Sequence, residues 1–359
     1  MDEDTGVGCN EEKEKDANGG RDGNGENDDL VFDEEAARTP SRKTTTSLSE
    51  KKKPPSELIL PNDHVRQFVS FLHKRIDESL TRRGNGGNFE QGRDGERRGT
   101  NPVYEIGNLY EKSFPVISER YFKNANWPKK EAVLEFLEKE REEEGKTLTE
   151  EEDDEIFLAL YEELYFRHVY SRSASPSIEE RVESWKAYCR LFDCVLKRSK
   201  TSGLVLPNVW LWDMVDEFIY QFQSFCQFRG KLQAKSEEEI ERLKELKDDG
   251  DVWQKEKVET YLEALQNKKK EEAEEREKEV ESDEKAKRSN IVDTLGYFAI
   301  VGLARVQCLS GEYELSLKTF DAMPDVLHGG GGSLHARIPG CHVSVNYHVG
   351  FAYFMLNRY

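Results

Sequence analysis

The chain has 359 residues, with 53 lysines and arginines against 72 aspartates and glutamates, giving a net charge of −19 with 35% of residues charged. A balance this acidic argues against a protein that wraps nucleic acid by neutralising phosphates, so any RNA contact has to be indirect or local. At 36% hydrophobic and 10% aromatic there is enough apolar matter for a core, while a mean hydropathy of −0.82 predicts unfolded stretches beside it. No run approaches the roughly 18 to 20 apolar residues that span a bilayer, and the start MDEDTGVGCNEEKEKD lacks the basic-then-apolar layout of a signal peptide. Scattered cysteines without a CxxC pair, and no Asn-x-Ser/Thr acceptor, fit a reducing, cytoplasmic setting with no membrane.

In chain order, residues 1–57 form an acidic, Ser/Thr-rich tail whose one apolar patch, Leu30-Val31-Phe32, is too small to offset ordering entropy; the tail is predicted disordered. Residues 58–83 hold an amphipathic helix, with Val65, Phe68, Val69, Leu72, Ile76 and Leu80 at spacings of three and four. The Gly/Arg-rich stretch 84–100 ends it and reads as a flexible linker. Residues 101–229 are an aromatic-rich helical domain. A first helix, interrupted at Pro115, runs to the stop at Trp127-Pro128, and a second is marked by Val133, Phe136 and Leu137. A third carries an apolar stripe from Ile156 to Val169, a fourth opens with the capping box Ser177 to Glu180, and a fifth follows Pro207.

Residues 230–289 read as a charged helical insertion, a solvated helix or a pair of them, with sparse apolar anchors such as Trp253, Val258, Leu262 and Leu265. Beyond Leu265 a charged, partly frayed extension is expected. Residues 290–359 follow the order of small and large positions in tetratricopeptide hairpins: Leu303, Ala304, Gly311, Tyr313, Ser316 and Phe320, then a second start at Gly350, Ala352, Tyr353, Asn357 and Tyr359. The second hairpin stops at its turn, and a continuing reading frame is expected beyond it. The fold class is therefore all-α: a helical bundle leading into tetratricopeptide-like hairpins.

Chemistry-bearing residues are few. Asp213, Asp216 and Glu217 share a helix face but fall in the first turns after Pro207, where acids favour the helix dipole and mark a solvent face. His168 reads as a packing or helix-end residue. His328, His335, Cys341, His342 and His348 match no tetrahedral zinc spacing. Cys189, Cys194, Cys226 and Cys308 read as small buried hydrophobes. Without GxxxxGK[ST], GxGxxG, GxSxG or HExxH, no catalytic, cofactor-binding or metal residue is predicted, and an enzyme is not expected. The remaining surplus is aromatic: the helix after Pro207 carries large rings around nearly its whole circumference, so it is either central in its bundle or docks a partner. Trp210, Trp212, Tyr220, Tyr353 and Tyr359 are the candidate partner-interface residues.

LPNVWLWDMVDEFIYQFQSFCQFR at this helix and YEELYFRHVY at 161–170 resemble the subunit L family of the eukaryotic translation initiation factor 3 complex. LGYFAIVGLARVQCLSGEY, YHVGFAYFMLNRY, YFKNANWP and the helix from Pro61 to Leu80 fit the same family. The resemblance implies a non-enzymatic subunit without cofactors, built of tetratricopeptide-like helices followed by a PCI domain. It also implies pairing with subunit K, binding of the complex to the small ribosomal subunit, and support of pre-initiation complex assembly and messenger recruitment. The tail, the Gly/Arg linker and the charged segment depart from the family, and no PCI domain lies within the 359 residues. The alternative is a free-standing helical adaptor that binds peptide segments, although about one and a half repeats is little for a peptide groove.

Overall fold

A computed structural model describes residues 60, 62–81, 102–143, 145, 151–173, 175–197, 203–231, 233, 235–248, 252–278, 290–323 and 333–358. All lie in the compact unit Pro55–Tyr359, and every regular element among them is helical. The predicted disordered tail, the Gly/Arg linker, His328, the glycine run 329–332 and Tyr359 lie outside the described residues.

Helix α1 (Asp63–Thr81) forms as its spacing predicts, with Val65, Phe68, Val69, Leu72 and Ile76 buried. The expected interruption at Pro115 takes a specific form. Helix α2 (Pro102–Asn108) runs into a π-helical turn, Leu109–Ser113, and then into α3 (Phe114–Tyr121), with Pro115 in the first turn of α3. A proline ring strikes the carbonyl four residues back; the wider turn, closed by the Phe114 N–H on the Leu109 carbonyl, starts a new helix around it instead of breaking the run. Trp127 then sits among Phe68, Phe114 and Phe122 at ring-centroid distances of 5.3, 5.1 and 4.7 Å, with its indole N–H on Ser118 at 2.9 Å.

Helices α4 (Lys130–Glu143), α5 (Glu151–Arg172), α6 (Ile178–Leu196) and α7 (Asn208–Gly230) complete the aromatic region. The Ser177–Glu180 capping box is present in both directions. Charged helices α8 (Glu237–Asp248) and α9 (Lys255–Lys278) follow. Here the structure departs from a solvated insertion: Trp253, Val258, Leu262 and Leu265 are fully buried, and α9 continues to Lys278 without ending near Leu265. Trp253 packs on Trp185 and Phe218 and donates its indole N–H to the Arg181 carbonyl at 2.8 Å. Three apolar residues at helical spacing, with Trp253 just ahead of the helix, suffice to seat it, and the charges on its outer face mask them in the composition.

Helix α10 (Ile291–Leu309) is the centre, packed by α7, α9, α11 (Tyr313–Asp321) and α12 (Pro339–Met355). By length and composition it is apolar enough to cross a membrane, but 83% of it is buried inside the protein. Two glycines admit its neighbours. A Cβ on Gly302 would stand 2.9 Å from both Val215 and Ile219 of α7, and one on Gly296 would stand 2.8 Å from the Leu265 carbonyl of α9. One apolar cluster runs from Leu60 to Val345, across the composition boundaries at 229 and 289.

The hairpin expectation has a geometric counterpart. After α10, Gly311 takes φ +83°, with Gly311 N–H on the Cys308 carbonyl and Glu312 N–H on the Gln307 carbonyl. After α12, Asn357 takes φ +53°, with Asn357 N–H on Phe354 and Arg358 N–H on Tyr353. Both are left-handed Schellman stops of identical bonding pattern. In the first hairpin Ser316 donates to the Ala304 carbonyl at 2.7 Å and Thr319 to Gln307 at 2.7 Å, tying α11 to α10.

Candidate functional site

Between α5, α6, α7 and the π-helical turn lies a buried polar network that sequence reasoning missed. Glu163 and Arg167, one turn apart on α5, form an ion pair in which the Glu163 side chain is 1% exposed. Arg167 Nη1 donates to the Tyr110 hydroxyl at 2.8 Å and lies 3.4 Å from Asp213, and that hydroxyl donates to Asp213. The Tyr110 ring stacks on Trp210 with centroids 4.9 Å apart and planes 3° from parallel, and the Arg167 guanidinium carbon lies 5.5 Å from the Tyr110 ring centroid. Trp210 donates its indole N–H to Glu163 at 2.8 Å, and Tyr188 adds a long hydroxyl contact at 3.4 Å.

These contacts correct the reading of the α7 acids as a solvent face. Asp213 belongs to the network, Asp216 pairs with Arg305, and Glu217 accepts from Gln221 at 2.9 Å. Burial pushes the Asp213 carboxyl up, opposed by Arg167. Burial likewise raises Glu163, opposed by Arg167 and the Trp210 indole, and it lifts Glu217 to about 7. Arg167 is itself buried against its charge, but Glu163, Tyr110 and Asp213 hold it above its ordinary range. A second ionic cluster joins α1, α4 and α5: Asp154 accepts from His73 at 2.9 Å and from Arg141, and these bonds outweigh burial and hold its carboxyl below the usual range.

An open cavity of about 760 Å³ lies over the network, lined among others by Tyr110, Phe114, His168, Arg172, Val209 and Asp213. His168 donates through Nε2 to the Ala125 carbonyl at 3.0 Å, and burial holds it below the ordinary histidine range. Among the described residues no group of three or more His, Cys, Asp or Glu is placed to hold a metal. The histidines weighed as zinc ligands have other partners: His335 bonds Tyr297 at 2.9 Å, and His348 Nδ1 bonds the Ser344 carbonyl at 2.7 Å. Cys194 and Cys308 are buried free thiols, and burial pushes both up, as small hydrophobes require.

The interface candidates separate. Trp210 and Trp212 are 0% and 3% exposed, which corrects their place as interface residues. Trp210 is fixed between Tyr110 and Glu163, and Trp212 packs edge-on against Phe298. The rings around α7 are explained by its central position, with α5, α6 and α10 all packed on it. Tyr220 and Tyr353 are surface residues, 48% and 38% exposed, on different helices.

A continuous all-α core and ionic groups that pair with one another define an all-α helical protein. The chain belongs to the family described as RNA polymerase I-associated factor PAF67, whose sequence model matches residues 180–359. Eukaryotic translation initiation factor 3 subunit L of Aedes aegypti is 38% identical over 263 residues, covering 72% of this chain and 45% of its own length. The proteins of that name from Xenopus tropicalis and Homo sapiens are each 35% identical over 304 residues, 82% of this chain and 50% and 49% of theirs. The resemblance carried by the α5 and α7 motifs is borne out, and the chain spans about half the length of the curated relatives it matches.

Proposed function

We propose that this chain is part of a non-catalytic scaffold subunit of the eukaryotic translation initiation factor 3 complex. In this reading it works in the cytoplasm, supporting pre-initiation complex assembly and messenger recruitment to the small ribosomal subunit by holding surfaces in place. The observation that carries the proposal is similarity to initiation factor 3 subunit L running through 72–82% of the chain in several animals. A polar centre in which Arg167 pairs with both Glu163 and Asp213 fits a structural role. Subunit K is the proposed pairing partner, contact with RNA is indirect or local, and no cofactor is needed.

The adaptor alternative has less support. A peptide-binding groove needs several stacked repeats, and the described residues hold one full hairpin, α10 with α11, before the second turn. The two readings separate in an affinity purification of the tagged chain from native extract. Co-purification of other initiation factor 3 subunits with small-subunit ribosomal proteins is expected, and their absence would refute the scaffold role.

A further inference from the structure

Two of the four arginines on α5 and α6 lack a carboxylate. Arg167 pairs with Glu163 and Asp213, and Arg190 pairs with Glu162. Arg172, at the end of α5, donates instead to the amide oxygen of Asn126 at 2.6 and 3.2 Å. Arg181, near the start of α6 and 2% exposed, donates to the Pro176 carbonyl at 3.0 Å and to the Ser224 hydroxyl at 2.9 Å. Its guanidinium faces the rings of Phe228 and Tyr170, 4.5 and 5.8 Å from their centroids, and burial holds it below its ordinary range. A buried cation is normally matched by an anion. In a chain whose net charge is −19, two arginines without an acid on either side of one turn are out of place.

That turn carries the sequence Arg172-Ser173-Ala174-Ser175-Pro176. The Ser173 N–H on the Val169 carbonyl closes α5, and the Ser177 cap opens α6. Turn chemistry accounts for Pro176, which cannot continue a helix, and for Ser177, which caps one. It asks nothing of Ser175, which is exposed and hydrogen-bonds to no other described residue. Ser175-Pro176 is the one Ser-Pro pair in the chain. A serine with proline after it and arginine three positions before it is a substrate pattern for proline-directed protein kinases. The proline brings no N–H for the kinase to satisfy, and the arginine answers acidic side chains.

A phosphate on Ser175 supplies the missing anion, with about −1.5 to −2 charges and three acceptor oxygens at pH 7. Arg172 exchanges a neutral amide for a charge-assisted pair with it. Arg181, whose Nε holds the carbonyl of the next residue, adds a positive charge that water screens little. The N-terminus of α6 lies just beyond. Three acids oppose it on α6, and two of them are engaged: Glu180 accepts the Ser177 N–H at 2.8 Å, and Glu183 lies 3.7 Å from Lys129, which leaves Glu179.

We propose that Ser175 is a phosphorylation site for a proline-directed protein kinase, and that its phosphate is clamped at the α5–α6 turn by Arg172 with Arg181 behind it. The γ-phosphoryl group of ATP passes to Ser175 Oγ. The new P–O bond forms as the bond to the bridging oxygen breaks, ADP leaves, and the hydroxyl proton goes to the catalytic aspartate of the kinase. The clamp ties the end of α5 to the start of α6, and it draws Arg172 off Asn126 and so changes the rim of the cavity that Arg172 lines.

The site is tested on the full tagged chain, purified from its native cells with phosphatase inhibitors and mapped by mass spectrometry. Phosphate is expected on Ser175 in a measurable fraction of the chains. A Ser175 that is unmodified in growing and in stressed cells alike, or phosphate confined to Thr39 of the Thr39-Pro40 pair, overturns the proposal. The clamp is tested on the full chain made with phosphoserine at position 175, followed by phosphorus-31 NMR against pH. The second ionisation of the phosphate, about 6 when free, should fall by about half a unit or more. Arg172→Gln should return at least half of that shift, whereas Arg172→Lys, which keeps the charge, should return less. A value at or above the free one would mean that the α6 acids outweigh the arginines and would overturn the clamp, as would a shift that Arg172→Gln leaves unchanged.

Discussion

Replacing Arg167 with Met removes the cation that Glu163 and Asp213 share while keeping the length of the side chain. Glu163, 1% exposed, would keep the Trp210 indole at 2.8 Å and the distant Tyr188 hydroxyl but lose its ion pair. Removing one partner of a buried pair costs about 3–5 kcal/mol, because the remaining charge is desolvated without compensation. The pH dependence follows from the direction of the Glu163 shift. Burial already raises its carboxyl above the unfolded value against the pull of Arg167, and the substitution raises it further. A carboxyl whose folded value is raised contributes stability below its unfolded value and loses it as pH rises toward the folded one. The deficit of Arg167→Met should thus be largest at pH 8 and shrink toward pH 5, as Glu163 takes up a proton. Urea unfolding of the parent, Arg167→Met and Glu163→Gln/Arg167→Met at pH 5, 6.5 and 8 measures this, with the double variant recovering part of the loss at pH 8. A deficit under about 1 kcal/mol at pH 8, or one that does not change with pH, would refute the view of this network as a buried, mutually compensated unit.

Three further outcomes follow from the packing. Glu217→Gln should stabilise the protein at pH 8 by up to about 3 kcal/mol, because the Glu217 carboxyl, raised to about 7, weakens the fold as pH climbs from its unfolded value to 7; melting curves between pH 4 and 8 should be flatter in the variant than in the parent. Trp253→Ala should cost about 3–5 kcal/mol in denaturant unfolding, since the ring is fully buried among Trp185, Tyr188 and Phe218; a cost within experimental error would mean that α9 is the peripheral segment its composition suggests. Gly302→Val should destabilise by about 1–3 kcal/mol or more, because even its Cβ meets Val215 and Ile219 at 2.9 Å, and thermal unfolding at a single pH suffices to see it.

Much of the fold is legible in the sequence because it is local. Helix α1, the Ser177–Glu180 box, the start after Pro207 and the stop at Gly311 each depend on side chains within a few positions of one another, where spacing and turn chemistry act directly. The polar centre was illegible for the opposite reason. Tyr110 and Asp213 stand 103 positions apart and Glu163 and Trp210 stand 47 apart, and nothing in the spacing of either pair says they meet. Glu163 and Arg167, an acid and a base one turn apart in a segment otherwise rich in rings, were the available cue: a charge pair on an apolar helix has to find partners inside.

By itself the sequence determined the class, the helices, their caps, the repeated turn and the family resemblance, all of which follow from patterns of a few residues or from long shared motifs. Only the tertiary structure decided which aromatic residues are core and which are surface. Trp210 and Trp212 look like interface anchors in a list of residues, yet they are enclosed because α5, α6 and α10 all close on α7. Val343, Tyr347, Phe351 and Phe354 look like ordinary core residues in the same list, yet they face outward because α12 buries its other side. Hydrophobic periodicity shows that a face is apolar; what covers it is set by helices that arrive from elsewhere in the chain, and that information exists only once the chain has folded.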